Sequence, residues 1–278
     1  MASVTGRIKD VKQPRCGFIK PSDFESVTLD DGIILNGEEN VHGSIVGMAV
    51  DYMTRFMMGT DKKEAFRISI MGAGLAEQIG VKKSLTVAAQ LLNKIKGLDD
   101  DSIISACKIV TFDVWYRNFM GAILAKGYKD TNPDKETIKN IQTLIQRSLI
   151  FFDTYGPITK DGFTFEPVKP DKKAYEKMIK SGKGSYGGYT ATVESGDGDF
   201  LTADTLWDFK VSKSKPTNKH TLQLIMYWIM GQHSGQNCYK NITKLGIFNP
   251  RLNIVYLLEI SKVPVDVIKT IEEEIICY

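Results

Sequence analysis

The sequence predicts an α/β (α+β) protein, with a small mixed sheet flanked by helices and a helical N-terminal region packed on it. Three observations carry this. Residues 41 to about 155 are mostly of helical periodicity, and the β-rich runs come only afterwards. Those runs fall in the order β-β-α-β-β with a closing helix, the pattern of helices gathered around a sheet. The helix in the middle of that order, His220–Gly231 (HTLQLIMYWIMG), is apolar nearly all round, as a helix buried against a sheet must be.

Taken in order, residues 1–40 hold Pro14, Gly17, Pro21, Gly32 and Gly37 and read as an irregular arm with a short strand at Gly32–Leu35. Val41–Met58 reads as a helix. Its apolar stripe is Ile45, Met48, Ala49, Tyr52, Met53 and Phe56, and Ser44, Gly47, Asp51 and Arg55 form an adjacent row. Ser84–Ile95 is an amphipathic helix closed by Gly97, and Asp101–Lys126 a long, largely buried one. Asn132-Pro133 supplies an N-cap and a first-turn proline for a helix that runs to about Phe152 and stops before Gly156-Pro157. Phe163–Pro170 is a strand or extended linker, and Lys172–Ile179 a short helix. The glycine cluster 182–188 leads into the sheet. Ile242–Phe248 and Asn253–Ile260 are strands, and Pro264–Ile276 is the last helix. The expected division is an arm (1–40), a helical region (41–160) and a core (161–278).

Composition excludes several classes. With 42% hydrophobic and 25% charged residues in 278, the chain is an ordinary soluble globular protein. Its longest apolar run is too short for a bilayer. MASVTGRIKDVKQPRCG lacks the apolar stretch of a secretory signal, so a cytoplasmic location is expected. Cys16, Cys107, Cys238 and Cys277 are scattered with no C-x-x-C, against zinc or iron–sulfur binding. Gly72-x-Gly74 lacks a third glycine, and Gly182-x-Gly184-x-x-Gly187 follows a helix, so neither marks a dinucleotide site. A net charge of +3 says little, but its distribution says more. From Lys210 to Leu258 there are seven basic residues, Lys210, Lys213, Lys215, Lys219, Lys240, Lys244 and Arg251, and no acid. That suits phosphate contacts. Asp23–Glu39 is acidic and ill suited to them.

The chemistry concentrates in Gly196–Tyr227. Thr205–Val211 (TLWDFKV) alternates like a strand, so Leu206, Asp208 and Lys210 share one face and Trp207, Phe209 and Val211 the other. Tyr189–Val193 and Asp199–Leu201 read as a second strand or bent hairpin arm, joined by a turn at Thr202-Ala203-Asp204. Antiparallel pairing would lay Asp199 near Asp208. Two close carboxylates repel unless a cation lies between them, and Mg²⁺ suits hard oxygen ligands. Gln223 and Tyr227 sit one turn apart on a buried helix and need partners there.

Asp199, Asp208-Phe209-Lys210 and Gln223-x-x-x-Tyr227 together resemble the PD-(D/E)XK nuclease signature in its RecB-like version. Gly198 stands where the family's proline is usual. The resemblance implies a restriction-endonuclease-like core and a Mg²⁺-dependent DNA nuclease in which Mn²⁺ substitutes. Asp199 and Asp208 would hold the metal, with the Phe209 carbonyl a further ligand. Lys210 would orient the attacking water, and Gln223 and Tyr227 would contact DNA or buttress Lys210. G-x-A-x-D-Y-x-x-R-F resembles the family's first-helix motif and makes Asp51 the third acid, against a plain Asp51–Arg55 ion pair. His42 reads as a cap. The expected partner is DNA, with no membrane. Because some relatives form rings, a homo-oligomer is one expectation. Exonuclease action is the first reading. A sequence- or structure-specific endonuclease, or a non-catalytic DNA-binding module, are the rivals.

Overall fold

The alternation of TLWDFKV becomes a strand inside a mixed sheet. The computed structural model describes residues 2–278 in two units, one made of the chain up to Leu29 with Phe152–Tyr278, the other Asp30–Phe151. Among the described residues of the first unit the main sheet has six strands. These are β1 (Glu25–Thr28), β2 (Lys160–Phe163), β3 (Gly198–Leu201), β4 (Thr205–Phe209), β5 (Lys244–Asn249) and β6 (Ile254–Glu259). They lie in the order β1-β6-β5-β4-β3-β2. β4 and β5 run parallel and the other pairs antiparallel. A parallel pair needs a long crossover, and Asn218–Ser234 is that helix.

Facing selects the core. Leu206 joins Leu245, Ile247, Tyr256 and Leu258 under the Leu222, Ile225, Met226 and Ile229 side chains of the crossover helix. Trp207, one residue on, belongs to the opposite face. There it lies 5.6 Å from the Tyr155 ring and 6.1 Å from Phe200, with its indole Nε1–H donating to Thr202 Oγ1 at 3.0 Å. Gly246 is opposite Trp207 across the parallel pair. A Cβ there would come 2.3 Å from the indole, so only glycine leaves room for it. Gly198 follows the same logic, because the Phe163 ring from β2 fills the space its side chain would take.

The N-terminal arm differs from expectation. Val4–Asp10 is a helix, N-capped by Ser3, whose Oγ accepts the Gly6 N–H at 3.1 Å. It puts Val4 and Ile8 into the core of the first unit. Gly32–Leu35 forms no strand; the edge strand is Glu25–Thr28 instead. At the other end Val265–Thr270 continues into a π-helical stretch, Ile271–Ile276, tied to the first helix by Arg7 Nε–H donating to the Ile275 carbonyl at 2.9 Å.

The second unit is helical, as expected, with two corrections. The long Asp101–Lys126 helix is broken. Asp100–Ile109 passes through a 3₁₀ turn at Val110–Phe112 into Asp113–Arg117 and Phe119–Ala122. Asp113, fully buried, marks the break. It accepts hydrogen bonds from the Tyr52 hydroxyl at 2.5 Å and from Ser69 Oγ. Burial raises its carboxyl above the ordinary range, although Ser69, Tyr52 and Arg117 all oppose that. The Lys135–Tyr155 helix is capped by Asp134, which takes the Thr137 N–H at 2.8 Å, and not by Asn132. Arg67–Gln78, read from sequence only as a failed nucleotide motif, is a helix. Arg147, nearly buried, forks onto Asp31 at 2.6 and 2.8 Å and holds that carboxyl below its usual range.

Candidate active site

The β3–β4 hairpin assembles the acids. Its turn closes with Thr202 N–H donating to Thr205 C=O at 3.0 Å, and Phe200 pairs with Trp207 and Leu201 with Leu206. Continued by one residue, that register sets Asp199 opposite Asp208, as the alternation implied. The Phe209 N–H donates to Asp199 Oδ2 at 2.6 Å, a charge-assisted bond that fixes Asp199 toward the end of β4.

Asp208 points to the crossover-helix side and is 3% exposed. Its Oδ1 takes the Lys210 ammonium at 3.0 Å. At an effective dielectric of about 20, that attraction is about 5–6 kcal/mol before desolvation. Lys210 follows β4, its backbone N–H donating to the Phe248 carbonyl at 2.9 Å, which continues the parallel ladder. Burial pulls its ammonium down, but the charges of Asp208 and Asp199 and the hydrogen bond to Asp208 outweigh this and leave it above 10.5. A lysine so held acts as a cation. Such a charge is suited to orienting and stabilising negative oxygens.

Gln223 lies 3.5 Å from Lys210 through Oε1, and its Nε2 donates to the Tyr227 hydroxyl at 2.8 Å. The two polar side chains of the buried helix thus have each other as partners, with the lysine at the open end. Burial pushes the Tyr227 hydroxyl far above its ordinary value, helped by Asp208 and Asp199 and against Gln223, so it stays a neutral phenol. Asp208, Lys210, Gln223 and Tyr227 are joined side chain to side chain, and Asp199 acts on Lys210 through its charge and on β4 through the Phe209 N–H.

Asp51 stands on the Gly43–Met57 helix of the other unit, where its Oδ1 accepts from Arg55 Nε at 2.9 Å. That is the ion pair weighed as the rival reading from sequence. Among the described residues no group of three or more His, Cys, Asp or Glu side chains is arranged to hold a metal ion. Within the first unit the acids of the set are Asp199 and Asp208.

Two acids nonetheless fit Mg²⁺, which keeps several waters and takes one or two carboxylates plus substrate phosphates. The deciding observation is Asp208 Oδ2. It is buried and has no hydrogen-bond partner among the described residues. A buried, unsatisfied charged acceptor costs more than the roughly 1–3 kcal/mol of a neutral one. A cation at that oxygen removes the cost. The Phe209 carbonyl, at the end of the same strand, is the remaining oxygen of this set.

Around the site the basic block divides. Lys213 and Lys215 are exposed on the segment that leads from Lys210 to the crossover helix, and Lys219 is exposed in the first turn of that helix. Lys244 instead pairs with Asp204 at 2.8 Å. Sequence reasoning missed His220, whose ring is acted on electrically by both Lys210 and Asp208. The signal was present: it stands three residues before Gln223 and seven before Tyr227, on their helix face. Asp197, exposed, also acts electrically on Tyr227.

The chain matches no protein-family model, no curated protein and no solved structure. Among the described residues no helix is long and apolar enough to cross a membrane.

Proposed function

We propose that this protein is a Mg²⁺-dependent deoxyribonuclease that hydrolyses phosphodiester bonds. The single observation that carries the reading is the buried, partnerless Asp208 Oδ2 beside a carboxylate-held lysine. The resemblance of Asp199, Asp208-Phe209-Lys210 and Gln223-x-x-x-Tyr227 to the PD-(D/E)XK signature supports the same reading. Asp199 and Asp208 would hold the ion, with the Phe209 carbonyl. When bound, a divalent ion lowers the pKa of a water and neutralises charge on a phosphoryl oxygen.

The chain's own residues supply the rest. Lys210 holds the attacking water and stabilises charge developing on the phosphate, because its ammonium is kept protonated and aimed by Asp208. Gln223 keeps Lys210 from leaving the site, and Tyr227 fixes the Gln223 amide. Lys213, Lys215 and Lys219 meet neighbouring phosphates without reading sequence.

The test is digestion of end-labelled linear duplex, single-stranded and covalently closed circular DNA with Mg²⁺, Mn²⁺, Ca²⁺ or chelator. Cleavage with Mg²⁺ or Mn²⁺ and none with chelator is expected. Activity on linear but not closed circular DNA assigns exonuclease action. No cleavage under any of these conditions contradicts the proposal and leaves a DNA-binding module as the better account.

A further inference from the structure

The His220 imidazole is held in a defined way that capping alone does not use. Its Nδ1 accepts the backbone N–H of Thr217 at 3.2 Å, closing the N-terminus of the Asn218–Ser234 helix. A ring nitrogen that accepts carries no proton, so that bond assigns the proton of the neutral ring to Nε2. Nε2 has no hydrogen-bond partner among the described residues. The ring is half-buried, and it stands in the helix row of Gln223 and Tyr227. Past it, toward the N-terminal side, come the exposed Lys213, Lys215 and Lys219. A solvent-facing N–H donor therefore stands in the helix row of Gln223 and Tyr227, next to the exposed Lys219.

We propose that His220 is a phosphate ligand, its Nε2–H donating to a non-bridging oxygen of the DNA backbone where the strand passes from the acid pair to the lysines. The assignment rests on the nuclease reading and names the residue that seats the strand there. Burial first, and the Lys210 charge second, hold the imidazole below its ordinary value against the pull of Asp208. The donor is therefore neutral near pH 7 and adds no charge for salt to screen. That separates it from the lysines, each of which makes binding more salt-dependent.

Two substitutions divide the two ring nitrogens. His220→Asn leaves a short acceptor for the Thr217 N–H and removes the far donor. His220→Gln reaches the Nε2 position with an amide N–H and gives up the cap. Binding of a fluorescent oligodeoxynucleotide to the full chain is measured with Ca²⁺ in place of Mg²⁺, over a range of salt. The expected result is about tenfold weaker binding for His220→Asn with an unchanged salt slope, and near wild-type binding for His220→Gln. In the wild type the His220 imidazole NMR signals should shift as the oligonucleotide is added, a readout that holds even if a variant folds poorly. Normal binding by His220→Asn with weakened His220→Gln, or imidazole signals that ignore the DNA, overturns the assignment while cleavage by the wild type leaves the nuclease reading intact. A wild type that neither binds nor cuts DNA overturns both.

Discussion

Lys210→Met is expected to slow DNA cleavage about a thousandfold while the chain stays folded. Methionine keeps the length and apolar stem of the lysine and removes only the ammonium. Three things depend on that ammonium: the 3.0 Å pair with Asp208, the 3.5 Å contact to Gln223, and the positive charge presented to a phosphate. A loss of that size corresponds to about 4 kcal/mol of transition-state stabilisation. Stability should change too. Removing one partner of a buried pair costs roughly 3–5 kcal/mol, and here less, about 2 kcal/mol, because the Lys210 side chain keeps 28% of its surface. The variant should regain part of this in Mg²⁺, which replaces the lost positive charge. Single-turnover cleavage and thermal melts with and without Mg²⁺ check both parts. A variant that cuts at the wild-type rate would remove Lys210 from the mechanism.

Asp208→Asn should be as inactive, with a different stability signature. The amide oxygen still accepts from Lys210, so the fold and the position of the lysine persist. The amide nitrogen replaces Oδ2, the oxygen without a partner, and a nitrogen donor repels a cation where the carboxylate attracts one. Cleavage should fall about a thousandfold or more. The wild type should melt higher in Mg²⁺ than in chelator, whereas Asp208→Asn should melt at one temperature in both. Equal Mg²⁺ stabilisation of the two proteins would mean that the ion binds elsewhere.

Legibility from the sequence followed how locally each feature is determined. The Asp208–Lys210 spacing on a strand, the Asp199 register and the Gln223–Tyr227 row depend on periods of two and of 3.6 residues, and the hairpin and crossover helix realise them. The core face of β4 was legible for the same reason. Glu25–Thr28 was not, because an edge strand exposed along its length carries no alternation. The break in the long helix at Val110–Phe112 lies where apolar residues recur at helical spacing through Ile103, Cys107, Val110 and Val114, so periodicity could not show it, and only the buried Asp113 marked the place. For Asp51 the helix row offered two readings, a pair with Arg55 and a place in a distant site, and the structure shows the pair. His220 was overlooked because it opens its helix, where a capping role is sufficient explanation until its second nitrogen is considered.

Whether the Asp199–Asp208 pair takes a divalent ion is measured most directly by calorimetric titration with Mn²⁺ and competing Mg²⁺, on the wild type, Asp199→Asn and Asp208→Asn, each with and without a short DNA. The wild type should bind Mn²⁺, more tightly once DNA adds phosphate oxygens, and both variants should lose that binding. Undiminished binding in the two variants, or no ion taken up by the wild type even with DNA present, would contradict the reading of these carboxylates as a metal site.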